Sequence, residues 1–210
     1  MKKKLLSTFV LLLFFVEIGL TQTSVVVQDL PVSISYFAEN GIHPGLKLET
    51  YYTFKSKLKS KQYRKEKRQN KYGDKRKLKE FSLSYNLGFY SHPNNHTGVF
   101  SNVGLMYLKT KLRKRRQLGF VFEVGYLRRF NKLKTYELAP NGEIHRVRFA
   151  GNNALQISLA PIIGREIQLK ENSIRIYGKP IVQLVQYNHS FFPNASFETG
   201  VVFNIKRKID

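Results

Sequence analysis

The sequence predicts an all-β chain, an antiparallel up-and-down β-barrel of about eight strands that crosses a membrane. Three observations carry that expectation. Segment after segment alternates with a period of two over about ten residues, enough for a tilted strand to cross a bilayer. One face of each segment is large and apolar, often aromatic. The other is small or polar and carries isolated charges: Lys47, Glu49, Glu123 and Glu198, with Asn86, Asn102 and Gln156 among them. A soluble sheet usually charges its polar face densely. A small closed barrel fills its interior with Gly, Ser, Asn and a few paired charges, turns its aromatic face to lipid, and leaves no edge unpaired in hydrocarbon. Finally, residues 1–21 read as a secretory signal. Lys2, Lys3 and Lys4 precede an apolar run from Leu5 to Leu20, interrupted by Glu17, with small Gly19 and Thr21 before Gln22.

Taken in order, the elements begin with a short segment, Val32–Phe37, which reads as a strand. Gly45–Phe54 sets Leu46, Leu48, Tyr52 and Phe54 against Lys47, Glu49 and Tyr51. Glu80–Tyr90 sets Phe81, Leu83, Tyr85, Leu87 and Phe89 against Ser82, Ser84, Asn86 and Gly88. Val99–Leu108 is mixed but rich in β-branched and aromatic residues. In Leu118–Leu127, Phe120, Phe122, Val124 and Tyr126 oppose Gly119, Glu123 and Gly125. Leu155–Ile163 sets Leu155, Ile157, Leu159 and Ile163 against Gln156, Ser158, Ala160 and Ile162. Ile174–Tyr187 is again mixed, and the last strand sets Phe197, Val201, Phe203 and Ile205 against Ser196, Glu198, Gly200 and Asn204. Turns are expected at Glu39-Asn40-Gly41, His92-Pro93-Asn94-Asn95, Pro140-Asn141-Gly142 and Glu171-Asn172-Ser173. Residues 22–210 make one barrel domain, with 55–79 as a basic loop.

The chain has no cysteine, which excludes disulfides and a lipidated cysteine anchor. Its formal net charge is +22. In an exported chain this points to lipid phosphates and lipopolysaccharide, or an acidic envelope protein, rather than to nucleic acid. The charge is unevenly placed. All five histidines, His43, His92, His96, His145 and His189, fall at one end of the alternating segments. The opposite end collects 55–79, with thirteen Lys or Arg against two acids, then Lys109–Arg116 and Lys206–Lys208.

The hairpins 79–109 and 116–130, with the terminal strand Ala195–Ile205, resemble the small outer-membrane β-barrel proteins of Gram-negative bacteria, over roughly residues 40–206. The resemblance implies an outer-membrane location, with the periplasm as the alternative. One departure is that the family ends its last strand at a terminal aromatic, whereas here Phe203 is followed by residues 204–210.

Within this frame the expected role is non-enzymatic, structural or adhesive. Lys109, Lys111, Arg113, Lys114, Arg115 and Arg116 would contact anionic lipid or lipopolysaccharide. Lys47, Glu49, Glu123 and Glu198 would form an interior polar network rather than line a pore, with Arg175 or Lys179 as further cations. Two alternatives stand beside this reading. One is a membrane-embedded lipid hydrolase using His189, Ser190 and Glu198. Its geometry is poor, because adjacent strand residues point to opposite faces, and the outer-membrane lipid A deacylases have a residue between His and Ser. The other is a soluble periplasmic β-sandwich that binds a partner. The histidines show no trusted ligand spacing, and His43-Pro44 and His92-Pro93 read as rigid strand corners, so neither metal nor cofactor is expected.

Overall fold

A computed structural model describes residues 30–59, 76–138, 142–169, 172–187 and 190–205. The signal-like segment 1–21, His189 and the basic run 206–208 lie outside the described residues. The strands are β1 (Leu30–Glu39), β2 (His43–Lys59), β3 (Lys77–Ser91), β4 (His96–Lys111), β5 (Arg116–Asn131), β6 (Thr135–Leu138), β7 (Ile144–Val147), β8 (Asn153–Leu169), β9 (Asn172–Tyr187) and β10 (Ser190–Ile205). All but β6 and β7 join one antiparallel sheet that closes on itself. A sandwich needs two sheets packed face to face, and this single closed sheet rules that alternative out.

Closure rests on β1. It pairs with β2 through Ser35 and Lys47, and with β10 through Phe37 and Glu198. The Asn40-Gly41 corner that follows takes left-handed backbone at both residues, φ 51° and 74°, a conformation that Asn and Gly accept at low cost. This tight corner sets β1 in register against β2.

The outward face of the barrel is apolar. On β3 it runs from Phe81 to Phe89, nine residues, which matches the about 9–11 residues a tilted strand needs to cross a bilayer. Phe81, Tyr107 and Phe120 pack as tilted rings across three neighbouring strands, with ring centroids 4.9 and 5.5 Å apart. The inward face is layered instead of uniformly polar. A charged middle lies between an aromatic layer of Phe37, Tyr90 and Phe100 and an apolar layer of Met106, Leu108, Val121, Ile162 and Val202. That layering explains why β4 and β9 read as mixed. Their inward positions include Phe100, Met106 and Leu108, and Ile181 and Val185, so both faces of those strands are apolar in places.

Two features differ from the expectation. The basic run 55–79 is not a loop throughout: β2 continues to Lys59 and β3 starts at Lys77, with Lys57 opposite Lys79. The ladder is made of backbone groups, so it carries on past the apolar belt wherever the lysines reach water. A register shift between Thr53 and Lys55 marks the point where the hairpin leaves the belt. The second difference is the hairpin β6–β7 inside the long connection between β5 and β8. Its turn is legible at Gly142, which has φ 85°. Its strands are not, because four residues each of Thr-Tyr-Glu-Leu and Ile-His-Arg-Val are too short to show a period.

Candidate functional site

The middle of the barrel holds a cluster of charges drawn from four strands. Lys47 on β2 is its hub, with Nζ 2.9 Å from Glu198, 3.5 Å from Glu123 and 4.0 Å from Glu49. Lys179 on β9 pairs with Glu49 and lies 3.3 Å from Glu198. The sequence-nominated residues Lys47, Glu49, Glu123 and Glu198 are thus together in the interior, and Lys179 supplies the second cation. Arg175 does not join them, because its guanidinium hydrogen-bonds the Tyr51 hydroxyl. Neutral partners complete the cluster. Tyr177 donates its phenol hydrogen to Glu198 at 2.6 Å. Gln156 donates to Asn102, Asn102 to Asn86, and Asn86 to Glu123. Ser158 donates to the other oxygen of Glu123 at 3.2 Å. Buried charges persist only when paired and hydrogen-bonded in this way. Sequence reasoning passed over Tyr177, the Asn–Gln relay and Ser158 as binding groups. Their signal was there, as inward parity on strands already assigned.

The cluster fills its space. The voids beside it measure about 20 and 10 Å³, room for about one water each. The aromatic layer lies on one side of the cluster and the apolar layer on the other.

At the histidine end, His43, His92 and His96 stand in a row. The rings of His43 and His92 are 3.8 Å apart, and those of His92 and His96 are 5.3 Å apart. The His92 and His96 rings stack while His43 is tilted against His92, and no group of three or more His, Cys, Asp or Glu among the described residues is placed to hold a metal. His92 Nδ1 donates to Pro93 O at 2.9 Å, a corner contact of the kind expected from His-Pro. His145 is on β7, where it meets Glu143 at the exposed end of the hairpin. His96 lies beyond the apolar belt. Burial, helped by the nearby Arg129 guanidinium, holds its imidazole below the ordinary histidine range.

A lumen-spanning ion pair lies beneath the histidines. Glu39 on β1 and Arg129 on β5 belong to diametrically opposite strands of the ring, and their side chains meet at 3.4 Å. Arg129 also donates to the Tyr90 hydroxyl at 3.0 Å and lies over the Tyr187 ring at 4.4 Å. Above this bar opens a cup of about 320 Å³. A wider cleft of about 730 Å³ lies beside it, between the rim and β6–β7.

Of the triad residues, the two described ones, Ser190 and Glu198, do not converge. Ser190 is exposed at the first position of β10, and Glu198 is fully buried in the charged cluster eight positions along the same strand. A strand rises about 3.3 Å per residue, which puts them roughly 26 Å apart. At the other end of the barrel, Lys111 closes β4 and Arg116 opens β5. A 3₁₀ turn, Leu112–Lys114, joins them and exposes Arg113, Lys114 and Arg115. Lys109 lies two residues inside the strand.

No family model matches this chain, and no curated protein does. Among solved structures, it is similar to the outer membrane enzyme PagL, with a TM-score of 0.45 and 8% identity, covering 83% of this chain and 99% of that one. It is similar to the β domain of the Bordetella autotransporter BrkA at a TM-score of 0.30 and 12% identity, covering 85% and 100%. It is also similar to Ail, the attachment invasion locus protein of Yersinia pestis, at 0.30 and 10%, covering 84% and 99%.

Proposed function

We propose that this chain is a non-enzymatic barrel of a Gram-negative outer membrane with a structural or adhesive role, its basic end lying against anionic lipid or lipopolysaccharide. One observation carries the membrane part of this reading, the inversion of the two faces. Leu46, Leu83, Leu105, Phe122, Leu159 and Val182 point outward and exposed, while Lys47, Glu123, Lys179 and Glu198 are buried inside. In water that arrangement leaves a continuous apolar belt uncovered, which soluble monomers avoid. In a bilayer the belt is solvated and the polar groups are paired within. The non-enzymatic part is supported by the separation of Ser190 from Glu198. The basic part is supported by the cations exposed around the 3₁₀ turn.

The test is fractionation followed by gel migration. The mature chain should extract from outer membrane only with detergent and should migrate differently on a gel before and after boiling. Release into the periplasmic fraction on osmotic shock, with no heat-dependent shift, would sink the membrane reading.

A further inference from the structure

We propose that the cup at the histidine end is a binding site for a neutral, hydroxyl-rich ligand of saccharide type. The Glu39–Arg129 bar lines the cup, and the Tyr90 hydroxyl that Arg129 also holds belongs to the buried aromatic layer with Phe37 and Phe100. At about 320 Å³ it falls at the small end of the about 300–1,000 Å³ typical of ligand clefts.

Charge selects the class of ligand. Glu39 and Arg129 are the only fixed charges among the described residues that line the cup, and they neutralise one another. An anion would face the Glu39 carboxylate and the amide oxygens. A cation would face Arg129, already held by Glu39, Tyr90 and Tyr187. The remaining polar wall is made of Asn40, Asn95 and Asn194 and the three imidazoles, groups that both donate and accept. A sugar hydroxyl does the same, so it can satisfy either kind of group. Two wall atoms are buried without a hydrogen-bond partner among the described residues, His43 Nδ1 and Asn194 Oδ1. Such orphans are costly, and each belongs to a side chain that lines the cup. On one side Tyr187 and Phe192 stand with ring centroids 5.7 Å apart, and Phe192 is half exposed. Arg129 lies over the Tyr187 ring, so Phe192 offers the apolar surface against which the C–H face of a pyranose packs. The combination of amides, imidazoles, a neutralised ion pair and the half-exposed Phe192 ring suits a sugar ring better than a phosphate or a metal.

The cup belongs to the barrel, so this proposal holds or fails separately from the membrane reading. The test uses the folded full-length barrel in an amine-oxide detergent, since sugar-headed detergents would compete. D-glucose, N-acetyl-D-glucosamine, maltose and inorganic phosphate are titrated calorimetrically. Saturable binding of at least one sugar is expected, weakened about tenfold or more by Asn194→Leu and by Phe192→Ala in protein that keeps its heat-dependent gel shift. In the unaltered chain, the bound sugar should slow chemical acylation of His92 and His96 while leaving His145 unaffected. This readout needs no variant to fold. Three outcomes overturn the proposal: no saturable uptake of any sugar up to about 50 mM, phosphate binding without sugar binding, or sugar binding that neither protects His92 and His96 nor responds to the variants.

Discussion

Lys47 carries more of the interior than its single charge suggests. The middle layer holds three carboxylates, Glu49, Glu123 and Glu198, against two ammoniums, Lys47 and Lys179, one negative charge in excess by formal count. Lys47 is within 4.0 Å of all three carboxylates. Replacing it with Met leaves three buried carboxylates around one cation, and breaking a buried ion pair from one side costs about 3–5 kcal/mol. Glu198→Gln instead leaves two carboxylates with two cations and keeps an oxygen for Tyr177, so it should cost distinctly less. Urea titration of the barrel in lipid vesicles, followed by the heat-dependent gel shift, should therefore rank Lys47→Met as the more damaging change. Equal losses from the two variants would mean that charge balance does not govern the layer. Lys47 and Glu198 were legible in the sequence from parity alone. That Lys179, and not Arg175, completes the cluster was not, because the two sit four residues apart on the same inward face of β9 and only the barrel's stagger decides which reaches Glu198.

The strands meet most closely where a glycine faces inward. A Cβ at Gly125 on β5 would lie 2.3 Å from Ser101 O and 1.8 Å from Asn102 Oδ1, both on β4. The first of these is backbone, so Gly125→Val would force the two strands apart, and overpacking of this kind costs about 1–3 kcal/mol or more. Gly178 on β9 faces outward, and nothing nearer than 3.7 Å would meet its Cβ. Folding trials should therefore show Gly125→Val failing to reach the heat-shifted form under conditions where Gly178→Ala succeeds. Recovery of both in equal yield would show that β4 and β5 separate readily. The glycines in Leu118–Leu127 marked a small-residue face in the sequence. The Asn102 side chain that occupies the vacated space shows only once β4 and β5 are set in register.

Across the whole molecule, charge is divided by end, with most of the described surface cations beyond the apolar belt on the side of the 3₁₀ turn. Each cation near an anionic surface contributes about 1 kcal/mol, and the contribution fades as the screening length falls from about 10 Å at 0.1 M salt to about 3 Å at 1 M. Barrels in detergent micelles should bind vesicles containing phosphatidylglycerol in low salt and release them in high salt. Exchanging Arg113, Lys114, Arg115 and Arg116 for Gln should weaken that binding while leaving the gel shift intact. Binding that persists unchanged at 1 M salt would count against an electrostatic surface.

Period-two alternation, with its apolar outer face and sparse inward charges, by itself determined antiparallel strands and which residues share the inward face, because side-chain direction in a strand depends only on parity; it favoured a barrel but left a sandwich open. Turns built on Asn40-Gly41 and His92-Pro93 were legible for the same local reason. Tertiary structure alone decided three other things. It closed the ring through β1, a strand with only Ile34 and Tyr36 exposed among its described outward side chains. It joined Glu39 to Arg129 across the lumen, ninety positions apart in the chain. It sent Glu198 down into the core, away from Ser190. Each of these depends on strand order and stagger around the ring, which arise from the pairing of all eight strands at once and leave no mark on any one of them.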